Sequence, residues 1–133
     1  MEKYYLKWLL LFLSITILSC DGFKSRLTEI WWVVTEIKIV KSEKTPKLNW
    51  NGIKFYENGT CQLPKIKWTD DMNATWEYIK ERENRFVIIK SNNIFNGKYI
   101  YYLNNDPVTV FKMVLISDSL EITCAPAAWS NIK

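Results

Sequence analysis

The stretch that decides the fold is residues 74–103, ATWEYIKERENRFVIIKSNNIFNGKYIYYL. Its period is two, not 3.6. Trp76 and Tyr78 fall on one parity, Thr75 and Glu77 on the other, so Ala74 to Glu81 reads as a strand with one apolar and one wet face. Arg82-Glu83-Asn84 is a short turn. Arg85 to Ser91 (RFVIIKS) is densely apolar, with the β-branched and aromatic residues that suit a pleated, half-buried surface. Asn92-Asn93 or Asn96-Gly97 reverses the chain again, because these residue types tolerate turn backbone angles. Lys98 to Leu103 (KYIYYL) is the next strand. Connections this short leave no room for the crossover that parallel strands need, so the pairing is antiparallel.

The same pattern extends both ways. Towards the N-terminus, Ile53 and Phe55 alternate with Lys54 and Tyr56, and Glu57-Asn58-Gly59-Thr60 supplies the Asn-Gly pair of a tight hairpin. Thr60 to Leu63 returns, and Pro64 marks an edge, a bulge or a strand end. Trp31, Val33, Ile37 and Ile39 share one parity in the first strand, opposite Glu36 and Lys38. Lys41 to Lys47 is a charged loop. Lys65 to Asn73, with Asp70 and Asp71, is a connection. Towards the C-terminus, Asn104 to Pro107 turns into a strand over Val108 to Ser117, and Asp118-Ser119 turns into Leu120 to Cys124. Trp129, in the tail from Ala125 to Lys133, is expected to fold back as a plug. About eight short antiparallel strands close naturally into an up-and-down barrel, which removes exposed edges. A two-sheet β-sandwich is the alternative. Leu27 to Ile30 reads as a helical turn or as the approach to the first strand, and no longer helix is expected beyond the leader.

The leader is residues 1–19. Lys3 and Lys7 precede an apolar run, Trp8 to Leu18, too short to span a bilayer but suited to the core of a secretory signal. Ile17-Leu18-Ser19-Cys20 resembles the lipobox of bacterial lipoproteins, whose cysteine becomes the acylated N-terminus. The resemblance implies lipid attachment at Cys20, a lipidated tether over residues 20–29, a folded domain over 30–133, and a place in the bacterial cell envelope at the outer membrane.

Removing Lys3, Lys7 and Glu2 with the leader leaves sixteen of eighteen Lys/Arg and thirteen of fourteen Asp/Glu. These charges are interspersed along strand faces, without the basic tract of a nucleic-acid surface, so no nucleic-acid partner is expected. The chain has no histidine, which removes the commonest general base and metal ligand. No nucleophile elbow, phosphate loop or dinucleotide fingerprint occurs. The chain therefore reads as non-catalytic, without cofactor or metal site. With Cys20 taken by lipid, Cys61 and Cys124 remain. Export favours a disulfide between them; two buried free thiols are the alternative.

The lipobox, the opening Trp31-Trp32-Val33, the hairpin Ile53 to Thr60, the Trp76 strand and the closing Leu120-Glu121-Ile122 strand together resemble the lipocalin-like lipoproteins of Bacteroidota. Lipocalins place a glycine two residues before the first-strand tryptophan; here Glu29 or Ile30 stands there. The resemblance implies a small barrel that holds an apolar or amphipathic ligand. The candidate ligand-binding rings are Trp31, Trp76, Tyr78, Tyr99 and Tyr101, read as inward on one parity of each strand. The alternative is an interaction module that binds another envelope protein, which a lumen filled by such rings would favour. Asp118-Ser119-Leu120 resembles the Bacteroidota O-glycosylation sequon, which implies Ser119 as a glycan acceptor at a turn.

Overall fold

The computed structural model describes residues 4, 5, 7, 22–104 and 112–127. The strands are β1 (Trp32–Ile39), β2 (Gly52–Phe55), β3 (Thr60–Gln62), β4 (Asn73–Glu81), β5 (Asn84–Lys90), β6 (Gly97–Asn104), β7 (Lys112–Ile116) and β8 (Leu120–Pro126). Each pairs antiparallel with its neighbour in sequence, and β8 pairs with β1, so the sheet is a closed eight-stranded barrel. The sandwich alternative falls, since every strand has a partner on both sides.

Register follows the apolar parity. Trp76 lies opposite Ile89 and Tyr78 opposite Val87. Val87 in turn faces Tyr99, Tyr101 faces Leu115, and Leu115 faces Ile122. Because partners share a face, one inward row runs around the wall. Trp32, Ile53, Phe55, Leu63, Tyr99 and Ile122 are wholly buried within it. The other parity is mixed, with polar side chains beside Ile79, Phe86, Ile100 and Ile116, and no charged side chain is buried among the described residues.

The first strand departs from the sequence reading. Its pairing with β8 shifts between Val34 and Glu36. Two residues then oppose one, which inverts the alternation beyond that point. Trp32 and Val34 point inward before the shift and Ile37 after it. An uninterrupted parity had placed Trp31 inside; it lies before β1 and is 42% exposed. Thr35 faces solvent at the bulge and its hydroxyl donates to the Thr123 carbonyl at 3.2 Å.

A second departure is helical. Gly22–Glu29 forms α1, where an extended tether was expected. Leu27 is its wholly buried side chain. Trp32 Nε1 donates to the Leu27 carbonyl at 3.3 Å, and Lys54 Nζ donates to the Thr28 carbonyl. The helix is thus a docked part of the domain. It sits at the barrel end that holds the start of β1 and the β2–β3 and β4–β5 hairpins. The opposite rim carries the β1–β2, β3–β4, β5–β6 and β7–β8 connections.

Candidate functional site

The expected ligand-binding rings do not form one open mouth. Trp76 packs on Phe55 with centroids 5.0 Å apart, and its Nε1 donates to the Tyr56 carbonyl at 2.8 Å. Tyr99 lies towards the opposite rim, where its hydroxyl donates to the Phe95 carbonyl at 2.7 Å. Burial raises its phenol pKa above the ordinary value, so the hydroxyl stays protonated and keeps that bond. Tyr78 and Tyr101 do meet, edge to face, at 6.5 Å. Helix α1 covers them. Phe23 stacks edge-on against Tyr101 at 6.2 Å, and the Tyr101 hydroxyl donates to the Phe23 carbonyl at 3.3 Å. The Arg85 guanidinium lies 3.7 Å from the Phe23 ring centroid, on its face, a cation–π contact that further holds the helix down. The barrel end beside Tyr78 and Tyr101 is therefore covered by helix α1.

The disulfide is also corrected. Cys61 and Cys124 are free, buried thiols. Strands β1 and β2 stand between β3 and β8 around the wall. Three strand spacings of roughly 4.8 Å each put the pair beyond the ~7 Å Cα separation a bridge tolerates. Burial pushes the Cys61 thiol up to about 12 and raises Cys124 as well, so both are inert at neutral pH. Cys20 lies outside the described residues. Ser119 sits on the exposed β7–β8 turn, its hydroxyl 3.5 Å from that of Ser117, where an attached group would disturb no strand pairing.

A concavity bounded by described residues lies outside the lumen. It is a groove of about 700 Å³ on the outer face of β3–β5 and their rim loops, lined by Thr60, Thr69, Asp70, Asp71, Asn73, Ala74, Thr75, Lys90, Ser91, Asn92, Asn93 and Asn96. Local hydrogen bonds fix its walls. The Asp70 carboxylate accepts from the Ile66 and Lys67 amides at 3.1 and 2.8 Å. Asp71 accepts from the Asn73 amide at 2.9 Å. In the β5–β6 loop, Asn93 Oδ1 accepts from the Ser91 hydroxyl at 2.7 Å and the Phe95 amide at 3.0 Å, while Asn96 Oδ1 accepts from the Ser91 amide. Asn93 Nδ2 donates across to the Asp71 carbonyl at 3.4 Å, joining the two loops. Beneath them Phe95 is buried as an anchor. The β3–β4 loop is clasped from its other side by paired backbone bonds between Trp50 and Lys65 and by Asn49 Nδ2 on the Ile66 carbonyl at 2.7 Å.

The sequence reads Thr60, Ala74, Thr75, Lys90 and Ser91 as strand residues, and the other lining residues as turns and connections. One signal could have found the groove. In an up-and-down barrel the β3–β4 and β5–β6 loops emerge at the same rim, and here both are dense in Asn, Asp, Ser and Thr. Among the described residues no group of three or more His, Cys, Asp or Glu is placed to hold a metal ion. Comparison with protein-family models, curated proteins and solved structures finds no match.

Proposed function

We propose that this chain is a lipid-anchored, non-catalytic binding domain of the bacterial cell envelope, in which the barrel is a packed scaffold and recognition takes place on the outside, at the rim away from α1. The observation that carries this is the lumen. Trp32, Phe55, Tyr99 and Tyr101 are 0–3% exposed, together with the aliphatic residues between them. An eight-stranded barrel is narrow enough for such side chains to fill. The interaction-module alternative is thereby favoured over a carrier of apolar ligands. The leader and Ser19-Cys20 support the anchor. Helix α1 starts two residues beyond Cys20 and is docked on the barrel. With the lipid attached there, the α1 end faces the membrane and the groove faces away from it.

Two measurements test the reading. Fatty-acid labelling in cells should mark the wild type and not Cys20→Ser; equal labelling overturns the anchor. Tyr101→Ala should lose roughly 3 kcal/mol or more of stability, by lost burial plus a cavity, and the wild type should not bind a hydrophobic fluorescent probe. Saturable probe binding by the wild type, with little stability loss in the variant, would restore the carrier reading.

A further inference from the structure

The chemistry of the groove selects a class of ligand. We propose that the groove between the β3–β4 and β5–β6 loops binds a neutral carbohydrate, an oligosaccharide segment whose sugar ring stacks on Trp68. This deepens the external-recognition reading and rests on it. The groove volume of about 700 Å³ falls within the roughly 300–1,000 Å³ of small-molecule sites. Its lining side chains carry amide, hydroxyl and carboxylate groups and the Lys90 ammonium, with Ala74 the one wholly apolar side chain. A wholly hydrophobic occupant would leave these polar groups desolvated and unpaired.

An anion fits poorly too. The lining carries Asp70 and Asp71 against Lys90, and like charge repels. A peptide adding as a strand has no edge to join, because the barrel is closed. A polyhydroxylated ligand matches what remains, since each hydroxyl donates and accepts, as do the amides and hydroxyls of Asn92, Asn96 and Thr75. The walls are already fixed by their own hydrogen bonds, so little ordering entropy is lost on binding.

The second, independent observation is Trp68. It immediately precedes the lining residue Thr69 and is 70% exposed. Its backbone carbonyl is held by Lys65 Nζ at 3.2 Å. An indole left in water on an anchored loop is costly for the free domain but offers a flat, electron-rich face to a partner. The C–H face of a sugar ring is flat, apolar and weakly positive, and complements it.

The test uses the full-length protein in detergent and calorimetric titration with neutral gluco-, manno-, xylo- and N-acetylglucosamine oligosaccharides. A sulfated oligosaccharide and inorganic phosphate serve as anionic probes. At least one neutral probe should bind, with Trp68→Ala and Asn92→Ala each weakening it by about tenfold or more and Trp31→Ala, an exposed ring before β1, leaving it unchanged. Unaltered thermal unfolding shows that the variants fold. No neutral binding up to ~10 mM, or preference for the anionic probes, overturns the proposal. Neutral binding that survives both groove variants overturns this site while leaving an external binding domain standing. Failure of that wider reading shows instead as probe uptake by the lumen.

Discussion

Individual side chains carry the sharpest expectations. Cys61 and Cys124 are protonated and inaccessible in the folded state. In Cys20→Ser protein a disulfide-exchange thiol reagent should react with neither native thiol and with both after unfolding; no reaction in denaturant would restore the bridge. The same thiols make stability depend on alkaline pH. The unfolded Cys61 thiol ionises near 9.0 and the folded one near 12. The folded state therefore retains the proton longer, and its advantage is complete below pH 9 and lost as pH rises towards 12, at up to about 1.4 kcal/mol per pH unit for each such group. Urea unfolding between pH 7 and pH 11 should show a flat region and then a fall, shallower in Cys61→Ala. Backbone angles give a further expectation. Arg82 opens the β4–β5 turn at φ 57°, where a Cβ costs about 1–2 kcal/mol and glycine avoids the cost. Arg82→Gly should raise the unfolding free energy by about 1 kcal/mol, offset in part by the greater freedom of the unfolded chain. Gly59, at φ 88° with its carbonyl accepting from the Trp76 amide at 2.9 Å, should show the converse: Gly59→Ala lowers stability in the same thermal assay.

At the level of elements, period-two patterning located strands well because each has one buried face. It failed where local geometry changed the period. The bulge at Val34/Glu36 is one residue of mismatch against β8, and nothing in β1 alone states what β8 will present. The reading therefore chose Trp31 for the interior, although the adjacent Trp32 is the buried ring. Helix α1 was missed for a related reason. Eight residues with mixed polarity do not form a stable helix in isolation; GFKSRLTE is held by Phe23 and Leu27 against the barrel. Phe23→Ala should therefore lose about 2 kcal/mol and expose the Tyr78–Tyr101 pair, seen as a lower unfolding midpoint with a changed near-ultraviolet dichroism. An unchanged midpoint would show that the helix does not seal that end. Strands β4 to β7 also carry an outward row, in which Ile79, Phe86, Ile100 and Ile116 pair across the ladder. Part of the apolar content read as core therefore stabilises the wall from outside, with Lys98 Nζ 4.3 Å from the Phe86 ring centroid.

For the whole molecule, anchoring and orientation are one question. If lipid is attached at Cys20, a fluorophore on Arg82→Cys, at the α1 end, should be quenched by a lipid-borne quencher, whereas one on Asn92→Cys should not. Equal quenching would disprove the orientation. The sequence alone determined the all-β class, the antiparallel hairpins and a count of about eight strands, with a barrel and a sandwich both open; the closed neighbour-to-neighbour strand order that makes it a barrel came from the tertiary structure. The class, the hairpins and the count follow from short-range facts: alternation fixes faces, and Asn-Gly and similar turns fix hairpins. The tertiary structure decided which rings share a space, which end is plugged, whether two distant cysteines meet, and where a groove opens. Those depend on stagger, on a single bulge and on loops from separate strands meeting at one rim. Asp71 and Asn93 stand 22 residues apart, yet their hydrogen bond helps build the groove, because the β4–β5 pairing that ends at Thr75 and Lys90 carries the chain on either side of it to the same rim.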